Sequence, residues 1–297
     1  MSVSDASAAP ALPDRKPRED EIDVYGLTDP GKVRKDNQDH FLVCGLLKQV
    51  VVRHTSLPDV APLMADSERL AFLAMVADGV GGAAQGAAAS RAALEAVTQY
   101  VSRSMHSYYA AASAGDQEFF DTLQEGARQC HAELLRRGEA DPDHRGMATT
   151  LTVFLGVWPR AYLLQVGDSR CYLLRQGELT QLTRDQTMAQ EMVDLGIMKA
   201  EEAAGTRLAH TLTSAIGGRQ TDPTVTRFDM AWGYVLLLCS DGLIRHVSDE
   251  RIRDVLCSMT SAQQACETLL QEALDGGGSD NVTIVVGRAL PRAEQGG

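Results

Sequence analysis

Four aspartates in this chain stand where apolar runs begin or end: Asp39 before HFLVC, Asp78 after LAFLAMVA, Asp241 after YVLLLCS and Asp280 before NVTIVV. Such runs read as buried strands, so carboxylates at their ends can converge on one edge of a sheet assembly. Clustered Asp oxygens without Cys or His select hard divalent cations, Mg²⁺ or Mn²⁺. Two such ions can share a bridging carboxylate, activate a water and neutralise the charge that develops in an in-line displacement at phosphorus. Uncatalysed phosphate monoester hydrolysis is exceptionally slow, and two dications can supply the large electrostatic contribution it needs. A planar guanidinium to grip phosphate oxygens completes the minimum set, and Arg34 lies five residues before Asp39. No serine or cysteine nucleophile is required.

Glycines sharpen the reading. Asp78 is followed by Gly79, Gly81 and Gly82, and Asp241 by Gly242. A lone Asp-Gly marks a turn. Repetition after two buried runs points instead to backbone that a ligand approaches without meeting a Cβ.

Bulk properties narrow the class. The 297 residues carry a net charge of -12, which argues against nucleic acid or an anionic membrane as the main partner. No apolar run is long enough to cross a bilayer, and the N-terminus lacks the pattern of a secretory signal. The six cysteines have no CxxC spacing and mostly sit in apolar runs, which reads as reduced thiols in a cytoplasmic protein. The seven histidines form no HExxH pair, so zinc is not expected.

The elements that must position the acids follow in order. Residues 1–20, rich in Ala, Ser, Pro and charge, read as a disordered tail; 21–290 form the domain, and 291–297 are a C-terminal tail. IDVYGLT, a turn at Asp29-Pro30-Gly31 and HFLVC suggest a hairpin whose connection carries Arg34 and Asp39. Residues 48–69 read as an inserted strand and loop with no assigned chemistry. Helices are expected over 83–107 and 119–137, then strands over 149–158, 161–168 and 171–175. An amphipathic, Gly-broken helical stretch follows from Thr187 to about Ile216. Thr224 to Phe228 and the Asp241 run are strands, Ser248 is a helix cap, Ala262 to Leu274 is a helix, and NVTIVVGRAL closes the chain. This order does not alternate as parallel βαβ units would. It fits an α+β fold of antiparallel sheets stacked face to face with helices outside.

These residues resemble the metal-dependent PPM (protein phosphatase 2C-type) Ser/Thr phosphatases, particularly their bacterial branch. The pieces occur in family order: GLTDPGKVRKDNQD, VADGVGG, GMATTLTVFL, VGDSRCYLLRQGELTQLTRDQT, LTSAIGG, LLCSDG and SDNVTIVV, spanning Val24 to Val286. The resemblance implies a central β-sandwich flanked by helices, with a binuclear Mn²⁺ or Mg²⁺ centre at one edge and a flap over about 187–218. It implies that Asp78 bridges both metals, that the Gly79 carbonyl binds one, and that Asp241 and Asp280 complete the pair. Asp39 would hold metal or its water, and Arg34 the phosphate. Asp143 matches the acid of a third, weaker metal in bacterial members, and Asp168 either joins that site or is structural. Asn281 would support the core metals from outside.

Three departures stand out. Gln38 replaces a frequent Glu, removing a negative charge beside the metals; Val80 replaces a histidine of animal enzymes; Ala148 replaces the Gly that usually precedes Thr-Thr. Three functions remain open. The first is a monomeric, cytoplasmic phosphatase acting on phosphoserine and phosphothreonine of proteins, opposing a Ser/Thr kinase. The second is a regulatory module with dead metal chemistry. The third is a phosphatase for a specialised partner, such as an anti-sigma-factor antagonist or a secretion component. Retention of Asp39, Asp78, Asp241, Asp280 and Arg34 favours an enzyme.

Overall fold

A computed structural model describes residues 14–48, 68–110, 115–141, 144–203 and 206–292. The expected strand and loop across 49–67, and Asp143, lie outside the described residues.

The long apolar runs become central strands. β1 (Ile22–Asp29), β2 (His40–Lys48), β3 (Glu68–Ala77) and the short β4 (Gly79–Val80) precede two long helices, α1 (Ala83–Ala110) and α2 (Asp116–Ala140). β5 (Ala148–Thr149), β6 (Leu151–Val157), β7 (Arg160–Val166), β8 (Arg170–Arg175) and β9 (Glu178–Gln181) follow. The expected amphipathic stretch after Thr187 is broken into α3 (Met188–Asp194), α4 (Ala200–Ala203) and a 3-10 turn, Arg207–His210. Its apolar Leu195 and Ile197 are exposed, so no core holds it as one helix. β10 (Thr224–Asp229), β11 (Val235–Cys239), α5 (Asp241–Ile244), α6 (Asp249–Ser258), α7 (Ala262–Asp275) and β12 (Val282–Ala289) complete the order.

One sheet runs β1-β12-β11-β8-β9 and the other β10-β7-β6-β3-β2, with β4 and β5 as a separate pair. The alternation along each central strand sorts side chains between two cores. In β3, Ala74 and Val76 face the other sheet, while Leu73, Met75 and Ala77 pack with Val97, Leu123 and Leu134 of α1 and α2. In β11, Leu236 and Leu238 lie between the sheets, whereas Leu237 and Cys239 pack with Val255 and Leu269 of α6 and α7. The expected four-layer α-β-β-α sandwich is the one observed. Ser248 caps α6 as expected, accepting from Arg251 N, and Ser261 likewise caps α7, accepting from Gln264 N. All six cysteines are free.

Two expectations need correction. β1 and β2 are not a hairpin, because β1 pairs with β12 and β2 with β3 of the opposite sheet. Loop 30–39 therefore crosses between the sheets. Residues 15–20, expected within a disordered tail, are instead tied to the domain. Arg15 forms an ion pair with the buried Glu21, Lys16 donates to Arg69 O, and Arg69 binds Glu19 and Pro17 O. At the same end Leu290 N donates to Glu21 O, and Arg292 pairs with Asp20. Residues 14–21 and 290–292 thus lock together at the end of the sandwich where β1 begins.

Candidate active site

The other end of the sandwich gathers the acids. β3 delivers Asp78 at its exit and β2 receives Asp39 at its entry, so both come from one sheet. Asp241 leaves β11 and Asp280 precedes β12, so both come from the facing sheet. Asp168 sits in the β7-β8 connection, which crosses between the sheets. Together with Arg34 and Gln38, four of these acids line a cleft of about 630 Å³; Asp39 lies buried beneath it, 2% exposed. Residues 210–215 and 218–220 also line the cleft, all but Arg219 and Gln220 within the expected flap segment.

Each acid is held by its own neighbours. The Asp78 backbone is pinned from both sides: its N donates to Thr150 Oγ1 at 2.9 Å, and its carbonyl accepts from Thr150 N and Thr149 Oγ1, each at 2.8 Å. Gly79 must be glycine for steric reasons, since a Cβ would overlap Gly86 O and stand 2.8 Å from Gln38 O. Asp39 Oδ2 accepts from Thr283 Oγ1 at 2.8 Å. Asn281 binds the crossing loop three times: Nδ2 donates to Pro30 O and Asp36 O at 3.0 Å, and Oδ1 accepts from Gln38 N at 2.9 Å. Two arginines reach the remaining acids. Arg34 holds Asp280 with Nε at 2.8 Å from Oδ1 and Nη2 at 2.9 Å from Oδ2. Arg245, at the end of α5, binds Asp241 Oδ2 through Nη2 and through Nε at 3.0 Å, and lies 3.4 Å from Asp280 Oδ2.

The electrostatics are those of a site short of positive charge. Burial pushes Asp78 well above the usual carboxylate range, and Asp39, Asp241, Asp168 and Asp280 push it further. Burial also raises Asp39 to about 6, against the hydrogen bonds from Ser240 and Thr283. Asp168 is raised by burial and then by Asp241. Among the described residues, four buried side-chain polar atoms lack a hydrogen-bond partner, and three belong here: Gln38 Oε1, Asp39 Oδ1 and Asp241 Oδ1. Buried polar atoms are rarely left alone, so these oxygens suit cations. The described carboxylates do not form a ready-made cage of three around one point. Arg245 and Arg34 instead take up oxygens of Asp241 and Asp280.

Arg34, Gln38, Asp39, Asp78, Gly79, Asp168, Asp241, Asp280 and Asn281, to which the sequence pointed, thus lie together at this end, with Val80 and Ala148 paired across β4 and β5. Asp168 joins the acidic cluster, while Asp143 lies outside the described residues. Sequence reasoning missed Arg245. Its signal was available, for Asp241 and Arg245 have the i, i+4 spacing of a helical ion pair. It also missed the clamps by Thr150, between β5 and β6, and Thr283 in β12, whose partners only the fold supplies.

A profile of the protein phosphatase 2C family matches residues 59–276. The chain belongs to the protein phosphatase 2C family. Among relatives, it is 36% identical over 241 residues to the serine/threonine protein phosphatase PstP of Mycobacterium tuberculosis (strain CDC 1551 / Oshkosh), covering 80% of this chain and 45% of PstP. It therefore spans less than half the length of that relative. It is 30% identical over 217 residues to the serine/threonine phosphatase Stp of Listeria welshimeri, covering 72% of this chain and 83% of Stp. A crystal structure of the catalytic domain of PstP in complex with two manganese ions superposes with a TM-score of 0.67 at 32% identity, covering 91% of this chain and 99% of that one.

Proposed function

We propose that this phosphatase 2C chain is a metal-dependent protein phosphatase that hydrolyses phosphoserine and phosphothreonine on proteins. One observation carries the reading: five converging carboxylates, two of them with a partnerless buried oxygen, beside the partnerless Gln38 Oε1 and an arginine at the cleft mouth. In this reading Asp78, the Gly79 carbonyl, Asp241 and Asp280 hold two divalent ions, Mn²⁺ or Mg²⁺, with Asp39 beneath them. Asp168, and Asp143 outside the described residues, serve a weaker third ion. When bound, the ions supply Lewis acidity toward phosphoryl oxygens and lower the pKa of a water in the site. The two manganese ions of the PstP catalytic domain support this assignment.

The chain's own side chains do the rest. Arg34 is half exposed at the mouth, where its planar guanidinium can leave Asp280 and take two phosphoryl oxygens. Asn281 and the Gln38 backbone hold the loop that carries Arg34. Residues 210–215 and 218–220 line the cleft, and a bound phosphopeptide would pass along them. Substrates are phosphoproteins, and a Ser/Thr kinase acting on them is the natural counterpart. In this reading the protein acts as a monomer in the cytoplasm; separately, no described helix is long and apolar enough to cross a membrane.

The test is hydrolysis of an aryl phosphate and a phosphothreonine peptide after chelation, with Mn²⁺ titrated back. Turnover that appears only with metal is expected. Metal binding without turnover on either substrate would favour the regulatory alternative and overturn the enzyme reading.

A further inference from the structure

The carboxylate cluster is electrostatically lopsided. The Asp39 carboxylate accepts from the Thr283 hydroxyl, Asp78 is pinned through its backbone by Thr149 and Thr150, and no described arginine forms an ion pair with either acid. Asp241 and Asp280, from the other sheet, share the Arg245 guanidinium, and Asp280 is also gripped by Arg34. The two arginines differ in depth. The Arg34 side chain is 50% exposed, whereas that of Arg245 is 26% exposed and stands one helical turn beyond Asp241. Burial works against the Arg245 charge, yet Asp241, Asp280 and Asp168 outweigh it and hold its pKa above the ordinary value.

We propose that Arg245 is a resident cation of the Asp241–Asp280 half of the site: it holds these acids in place before metal arrives and opposes the ion that they bind. The inference rests on the metal-site reading above and concerns the order in which that site fills. Before loading, the guanidinium offsets repulsion between two carboxylates that would otherwise face each other with little solvent. During loading, a dication must share Asp241 Oδ2 with a fixed positive charge or displace it. The repulsion between a fixed guanidinium and a dication sharing one carboxylate, even after solvent screening, is enough for a tenfold effect. The ion on the Asp39–Asp78 side meets no such competitor. The consequence is stepwise loading, with the Asp241–Asp280 ion the weaker of the two.

The experiment is calorimetric titration of chelator-treated protein with Mn²⁺, paired with thermal melts with and without the metal, for wild type, Arg245→Ala and Arg245→Lys. Wild type is expected to bind with two unequal affinities. In Arg245→Ala the weaker affinity rises about tenfold and approaches the stronger. The melting temperature of Arg245→Ala falls below wild type without metal and gains more than wild type when Mn²⁺ is added. Arg245→Lys, which keeps the charge, behaves nearly as wild type, and its intact fold separates the charge effect from misfolding. An Arg245→Ala isotherm that matches wild type overturns the inference and leaves the metal site standing. A raised KM for aryl phosphate with that unchanged isotherm would reassign Arg245 to the substrate and likewise overturn it. If no protein binds Mn²⁺, the metal-site reading fails and takes this inference with it.

Discussion

Replacing Asn281 by Ala tests whether the crossing loop is held mainly by one side chain. Asn281 is 5% exposed and makes three hydrogen bonds at 2.9–3.0 Å, to Pro30 O, Asp36 O and Gln38 N. At roughly 1 kcal/mol net per bond the loss is about 3 kcal/mol, more if the orphaned backbone groups stay dry. A chain of this size unfolds in urea with a slope near the top of the usual range, about 3 kcal/mol per molar, so the midpoint should fall by about 1 M. The measurement is an equilibrium urea melt of chelated protein beside aryl phosphate kinetics with saturating Mn²⁺. Because the loosened loop carries Arg34, KM should rise more than kcat falls. Asn281→Asp keeps an acceptor for Gln38 N but turns an anion toward two carbonyls, so it should cost at least as much as Ala. A destabilisation under about 0.5 kcal/mol, or a full loss of stability with KM unchanged, would refute the clamp.

Three further outcomes follow from the geometry. An acid whose folded pKa exceeds its unfolded value binds its proton more tightly when folded, so Asp39, raised from 3.8 to about 6, stabilises the metal-free protein at low pH and loses that contribution as pH rises through this window. Chelated wild type should therefore melt lower at pH 7 than at pH 5, and Asp78→Asn should narrow the gap while abolishing hydrolysis; a flat profile in chelated wild type would contradict this. Gly79→Ala forces backbone apart at Gly86 and Gln38, so hydrolysis should drop at least tenfold while most of the sandwich persists by circular dichroism. Leu237→Ala, fully buried between β11 and the outer helices, should cost about 2–5 kcal/mol in a urea melt without changing KM.

What the sequence revealed and concealed divides along physical lines. Asp78, Asp241 and Asp280 were legible because each abuts a run buried on both faces, which leaves a conspicuous trace, whereas β2 after Asp39 is a half-buried edge strand. Strand partners were not. IDVYGLT and HFLVC, a loop apart, look like a hairpin, and only the packing of two cores assigns β1 to β12 and β2 to β3. Residues 14–20 looked like solvated tail because their charges are balanced by residues far along the chain, Arg69 and Arg292, which no local pattern announces. The stretch after Thr187 has helical periodicity, but exposed Leu195 and Ile197 have no surface to pack on, and it settles into short pieces. Arg245 was legible in spacing and overlooked because attention to metal chemistry favours acids over bases.

The lock between residues 14–21 and 290–292 has a practical corollary. β1 runs eight residues from that lock to the acidic end, about 25 Å of extended chain. The β6-β7, β8-β9 and β10-β11 turns lie on the same side as the lock. A tether, dye or fused module attached there would face away from the cleft. Surface immobilisation through that end would leave every molecule with its cleft toward solvent, an orientation suited to single-molecule or flow measurements with bulky phosphoprotein substrates.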